Sequence, residues 1–144
     1  MMERGFQLAR VVVVMLAGLF LLAGEGAWEG RVVGAEPSGT DVKTVELTVD
    51  YGDGAQRRYV LPFREGSTIL QVMESVQAHP RGVSFKYRGK GETAFLTEID
   101  QMPNEGRGRN WIYRVNDKKG EESFAVHKVA AGDRILWKFE KSGG

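Results

Sequence analysis

The sequence predicts an α+β fold, with one amphipathic helix packed on a mixed sheet of four to six strands and preceded by an N-terminal signal helix. Three observations predict it. Beyond the leader, only Thr68 to Ala78 (TILQVMESVQA) has helical periodicity. Nearly every other apolar run alternates as strands do. A single helix with one apolar stripe has only a sheet to bury that stripe against.

The leader sets the compartment. Arg4 and Arg10 stand against Glu3, and Val11 to Gly24 (VVVVMLAGLFLLAG) is apolar throughout. That run has the length of a signal-peptide core and falls short of the roughly 20 residues a spanning helix needs. Val33-Gly34-Ala35 places small residues at the −3 and −1 positions of a cleavage point before Glu36. Residues 1–35 therefore read as a signal peptide or, if uncleaved, as an N-terminal membrane anchor through residues 11–24. Either way the chain is exported, to the periplasm, the cell surface or the medium. Residues 36–41 read as a short linker, and 42–141 as the folded domain.

Composition narrows the chemistry. Hydrophobic residues at 42% and charged residues at 27% describe a globular chain rather than a disordered one. A formal net charge of +1, together with export, argues against nucleic acid as a partner. The absence of cysteine excludes disulfides, thiolate nucleophiles and cysteine-based zinc sites.

Val45, Leu47, Val49 and Tyr51 alternate with polar residues as a half-buried strand, and Gly52-Asp53-Gly54 turns the chain. Tyr59, Leu61 and Phe63 line one face of the return strand, with Pro62 expected at its end or on a sheet edge. In the helix, Ile69, Val72, Met73 and Val76 recur at i, i+3, i+4 and i+7. Thr68 and Gln71 have capping-box spacing, and Pro80 stops the helix. Val83, Phe85 and Tyr87 form the next strand face, and Ala94 to Ile99 reads as strand of ambiguous phase. Asp100 to Arg109 reads as a polar loop. Trp111, Tyr113 and Val115 make a further strand ending at Asn116-Asp117, and Lys118 to Glu122 reads as a solvated loop. Ile135, Trp137 and Phe139 form the last strand, entered through Gly132-Asp133. Strand, strand, helix and then three or more strands is the order of a β-grasp. A helix of about 11 residues spans about 16 Å, enough to cross four or five strands spaced about 4.8 Å apart.

A family resemblance rests on five blocks in order: VELTVDYGDG, EGSTILQVMESV, FLTEI, NWIYRVND and AGDRILWKF. Together they resemble the transcobalamin-like C-terminal domain family, over about Val42 to Lys141. That family includes the C-terminal β-domain of transcobalamin and intrinsic factor and many bacterial surface and secreted proteins. The resemblance implies a β-grasp fold related to soluble-ligand-binding modules, and no catalysis. In the vertebrate members cobalamin lies between this domain and a helical one, which supplies the cobalt-coordinating histidine. A corrinoid, or another planar small molecule, is thus the expected ligand, with no cofactor required. Another exported protein is the alternative partner. The resemblance also carries over Trp111, the tryptophan after a loop that lies near the ligand, although Ile112 follows it where vertebrate members have a polar residue.

The candidate ligand-binding residues are Arg107, Arg109, Asn110, Trp111 and Tyr113. Two readings stand for the aromatic pair: core packing on Ile69 and Met73, or a flat surface at the loop-side rim. Two also stand for Asn104 to Asn110: an anion-binding turn presenting forked guanidinium donors, or a solvated hairpin connection. No metal site is expected, because His79 and His127 form no ligand spacing and read as capping or surface residues. No catalytic residues are expected either. Ser67 is better used at the helix cap, Glu98 and Asp100 read as surface charge, and Asp133 as a turn residue bonding local backbone.

Overall fold

A computed structural model describes residues 41–143. The expected signal peptide or anchor (1–35) and most of the linker (36–41) lie outside the described residues.

The helix α1 (Ile69–Gln77) forms where its stripe requires it. Ile69, Val72, Met73 and Val76 are all buried, while Gln71 and Glu74 face solvent. Its first turn leaves N–H groups without helical partners, and each is satisfied. Thr68 Oγ1 accepts from Gln71 N, and the Gln71 side chain accepts from Thr68 N, which completes the capping box. The two donors ahead of that come from Ile69 and Leu70, and they reach the carbonyls of His127 and Phe124 at 3.1 Å each. The turn at residues 123–127 is thereby fastened to the helix start.

The sheet beneath is mixed. Strand β1 (Thr44–Asp50) pairs antiparallel with β2 (Gln56–Pro62). Strands β3 (Phe85–Arg88), β4 (Phe95–Ile99) and β5 (Met102–Pro103) follow the helix. The chain then continues through β6 (Arg109–Val115), β7 (Lys118–Lys119) and β8 (Arg134–Lys141). The larger sheet runs β2-β1-β8-β6-β7, with the first and last long strands parallel to each other at its centre. Alternation decides its inner face: Val45, Leu47 and Val49 of β1, Ile135, Trp137 and Phe139 of β8, and Trp111 and Tyr113 of β6 are buried, and the residues between them are not. The helix stripe belongs to the same core. Pro62 ends β2 on an edge strand, where no ladder needs its missing donor.

The chain after the helix departs from expectation in four places. Strands β3, β4 and β5 form a separate three-stranded sheet instead of extending the larger one. A register shift between Lys86 and Tyr87 breaks the strand alternation, so Val83 and Phe85 are buried but Tyr87 is 41% exposed. The loop expected over Asp100 to Arg109 begins as a tight hairpin: Asp100 and Gln101 take φ of 46° and 65°, which pairs Ile99 with Met102. Asn116 and Asp117 do the same at φ of 50° and 69°, turning Lys118 and Lys119 into β7. Both β7 residues are exposed, so no apolar alternation marks that strand.

The helix stripe is the joint between helix and sheet. Met73→Ala is expected to cost about 2–5 kcal/mol, whereas Glu74→Ala on the solvent side should change stability by no more than about 0.5 kcal/mol. Urea unfolding of the two variants checks the contrast.

Candidate functional site

Strands β4 and β6 lie in different sheets, so no ladder joins them. Side chains and turns bridge them instead. At one end Asn104 acts as a clip. Its Nδ2 donates to Leu96 O at 2.7 Å, its Oδ1 accepts from Trp111 N at 2.8 Å, and its backbone N donates to Thr97 O at 2.9 Å. At the other end Ser123 Oγ donates to Ala94 O at 2.8 Å, and Gly120 N donates to Tyr113 O at 3.0 Å. Between these closures a cleft of about 380 Å³ opens, lined by Phe95, Leu96, Trp111, Tyr113, Phe124 and Trp137. Glu92, Lys119 and Glu122 stand exposed at its rim. Gly120 is required here, because a Cβ at that position would fall inside the Tyr113 ring.

The aromatic rings brace one another. Tyr113 packs on Trp137 with centroids 5.2 Å apart, and Phe124 meets Trp137 edge to face at 5.5 Å. Trp111 tilts against Phe139 at 5.1 Å. Polar tips are matched locally: Trp111 Nε1 donates to Met102 O at 2.8 Å, and Tyr113 Oη donates to Glu122 O at 2.6 Å. Phe95 differs from the others in being 51% exposed, at the mouth of the cleft.

The five residues singled out from the sequence divide. Trp111 and Tyr113 are buried in the core that also holds Ile69 and Met73, and both contribute to the cleft wall. Both side chains are thus core residues that also form part of the cleft wall. Arg107, Arg109 and Asn110 are not part of the cleft wall. Arg109 lies with its guanidinium 4.7 Å from the centroid of the Phe139 ring and 3.6 Å from Glu105 Oε1. Asn110 uses its amide within the loop, accepting from Gly106 N at 3.0 Å and donating to Gly106 O at 2.8 Å. Arg107 is exposed. The loop closes on itself, with Glu105 N donating to Arg109 O at 2.9 Å, and it joins two strands that do not pair with each other. Phe95 and Phe124 had not been singled out. Phe95 sits in a strand whose phase the sequence leaves ambiguous, and Phe124 in a turn without periodicity.

The remaining polar residues serve the frame. Glu98 pairs with Lys86 at 3.0 Å. Asp100 accepts from the Tyr51 hydroxyl and from Ser84 N, tying β1 to the smaller sheet. Asp133 accepts from Ala130 N at 2.7 Å and from Asn116 Nδ2 at 2.8 Å. His79 Nδ1 accepts from Arg81 N at 3.1 Å, and His127 Nδ1 lies 2.9 Å from Glu122 Oε1. Among the described residues no group of three or more His, Cys, Asp or Glu side chains could hold a metal ion. Burial first, and then the hydrogen bond to Asp100, push the Tyr51 phenol above its ordinary range. Burial also raises Tyr113, followed by the nearby Glu122 charge.

Residues 66–141, more than half of the chain, match a family described as "Domain of unknown function (DUF4430)". The chain belongs to this family. The DUF4430 match begins at the helix and runs through β8, leaving the β1–β2 hairpin ahead of it. Two solved structures share the fold. Haptocorrin in complex with Cbi superposes at a TM-score of 0.59 with 16% identity, covering 68% of this chain and 25% of haptocorrin. A presumed metal-binding protein from Ruminococcus gnavus superposes at 0.57 with 16% identity, covering 70% of this chain and 99% of that one. This chain thus spans about a quarter of haptocorrin's length. No curated protein matches the sequence. The resemblance to the transcobalamin-like C-terminal domain, drawn from five sequence blocks, holds.

Two outcomes test this account of the site. Asn104→Ala leaves the Trp111 N–H and the Leu96 carbonyl without their partners and is expected to lower stability by about 1–3 kcal/mol. Asn110→Ala, whose bonds face solvent, should cost less; chemical denaturation measures both. For the raised phenols, a folded value above the unfolded one means stability fully present below about pH 10 and lost as pH rises, because the unfolded phenols ionise first. Tyr51→Phe should flatten part of that alkaline decline when urea midpoints are followed from about pH 8 to 11.

Proposed function

We propose that this chain is a non-catalytic, exported ligand-binding module whose site is the aromatic cleft between β4 and β6. One observation carries the reading: a concave, ring-lined space walled by Trp111 and Tyr113, held open by specific clips where two sheets fail to pair. Ligand sites are typically concave, mostly apolar and provided with a few polar groups. The fold is taken as a β-grasp over residues 42–141, in support of which the first and last long strands pair in parallel beneath the single helix. Export is read from the leader. The absence of catalysis is supported by Glu98 and Asp100 having separate partners.

A corrinoid remains the named candidate through the likeness to haptocorrin, solved with Cbi. A cleft of about 380 Å³ is at the low end for small-molecule sites. A macrocycle would therefore lie across the mouth, against Phe95 and toward the exposed Tyr87, with only a side group entering. Titration of the chain with cobinamide and cobalamin tests this by tryptophan emission. Saturable quenching that weakens by about tenfold in Phe95→Ala is expected, a loss of the size seen for interface anchor residues. Quenching no greater than inner-filter loss up to millimolar ligand would end the corrinoid version.

A second reading, a partner protein pairing through a sheet edge, is favoured by β2. It is an edge strand, and Val60 on it is 63% exposed. An envelope protein captured by the wild type, lost with Val60→Lys and indifferent to Phe95→Ala, would favour it.

A further inference from the structure

Trp137 lies in the middle of β8, 2% exposed, and is one of the side chains lining the cleft. Its indole Nε1–H is fully buried and has no hydrogen-bond partner among the described residues. The neighbouring polar tips set the contrast, since Trp111 Nε1 and Tyr113 Oη each reach a backbone carbonyl. Buried indole N–H groups usually find an acceptor. One left without costs about 1–3 kcal/mol, and such a group calls for an explanation such as a water or a ligand. A water at this nitrogen would need two to four polar partners. Two rings pack on Trp137: that of Tyr113, whose hydroxyl already donates to Glu122 O, and that of Phe124.

We propose that the cleft takes a neutral, planar ring compound bearing one hydrogen-bond acceptor, a ring nitrogen or carbonyl oxygen, which the Trp137 indole N–H engages. This rests on the ligand-binding reading above and specifies its ligand. Flatness follows from the walls, where Trp111, Tyr113, Phe124 and Trp137 present ring faces and edges. Size follows from the volume of about 380 Å³, which suits one fused ring system better than a larger scaffold. Neutrality follows from the rim, where Glu92 and Glu122 are balanced by Lys119 and by Arg88 over the Phe95 ring, so that no net charge selects an ion. The nitrogen is sealed from solvent in the unliganded arrangement, so the acceptor reaches it only as the flanking rings part. Phe95, exposed at the mouth with the Arg88 guanidinium 5.4 Å from its centroid, has the most room to move.

Quinoline and naphthalene form the test pair, since they share a shape and differ in one ring nitrogen. The full chain, labelled with ¹⁵N at its three tryptophan indoles (Trp28, Trp111 and Trp137), is titrated with each at neutral pH. The Trp137 signal is identified by its loss in Trp137→Phe. Quinoline is expected to move the Trp137 Nε1–H downfield, and naphthalene is not. The ratio of quinoline to naphthalene affinity should fall roughly three- to tenfold in Trp137→Phe. If Trp137→Phe does not fold, Trp111→Phe and Trp28→Phe assign the signals, and the shift alone decides. If both rings bind with no downfield shift, or if the free protein already shows water at that N–H, the acceptor inference is overturned and the cleft reading stands. If neither ring binds, the acceptor inference is likewise overturned, and the corrinoid titration decides the cleft reading separately.

Discussion

The burial of one short helix stripe against a mixed sheet is the constraint on which everything else depends. Helix α1 has nine residues, fewer than the roughly 12–15 that make an isolated helix even marginal in water. It persists because Ile69, Val72, Met73 and Val76 enter a core shared with β1, β6 and β8, and because its first N–H groups are fully matched. Two of those matches come from His127 and Phe124, more than 50 residues away in sequence. That fastening also fixes the turn carrying Phe124, and so one wall of the cleft. The helix start is therefore a structural joint, with no donor left for an anion.

The cleft is a consequence of incomplete sheet formation. Were β4 to pair with β6, the gap would close into one continuous sheet and Trp111 and Tyr113 would be wholly interior. The register shift at Lys86 and Tyr87 and the tight turn at Asp100-Gln101 direct β3–β5 into their own sheet. Asn104 and Ser123 then bridge the two segments through bonds to Leu96, Trp111 and Ala94. Such side-chain bridges set a spacing that ladder hydrogen bonds would not allow, since paired strands approach to about 4.8 Å. The space between is lined by rings whose polar tips are satisfied, with one exception at Trp137.

The fold that this DUF4430 chain shares with haptocorrin and the Ruminococcus gnavus protein occurs in chains of widely different length. At 16% identity the likeness is one of fold. Arguments about binding must therefore come from this chain's own side chains. Arg109 and Asn110, for which the sequence leaves open an anion-binding turn or a solvated connection, are engaged with Phe139, Glu105 and Gly106. The aromatic wall, by contrast, presents flat apolar surface around a small set of polar tips.

By itself the sequence determined the helix with its capping box, the strand faces of β1, β6 and β8, and the turns at Gly52-Asp53-Gly54 and Gly132-Asp133. In each case the signal is local: a period of 3.6 or 2.0 and a cap or turn residue at fixed spacing. It also singled out Trp111 and Tyr113, which line the cleft. Only the tertiary structure decided that β3–β5 form a second sheet, that Lys118-Lys119 is a strand although exposed, and that Phe95 and Phe124 line one cleft with Trp111, Tyr113 and Trp137. Those facts depend on which distant segments approach one another, and neither side-chain alternation nor composition encodes a gap between two sheets. The orphaned Trp137 N–H belongs to the same class, because a missing partner exists only once all the neighbours are in place.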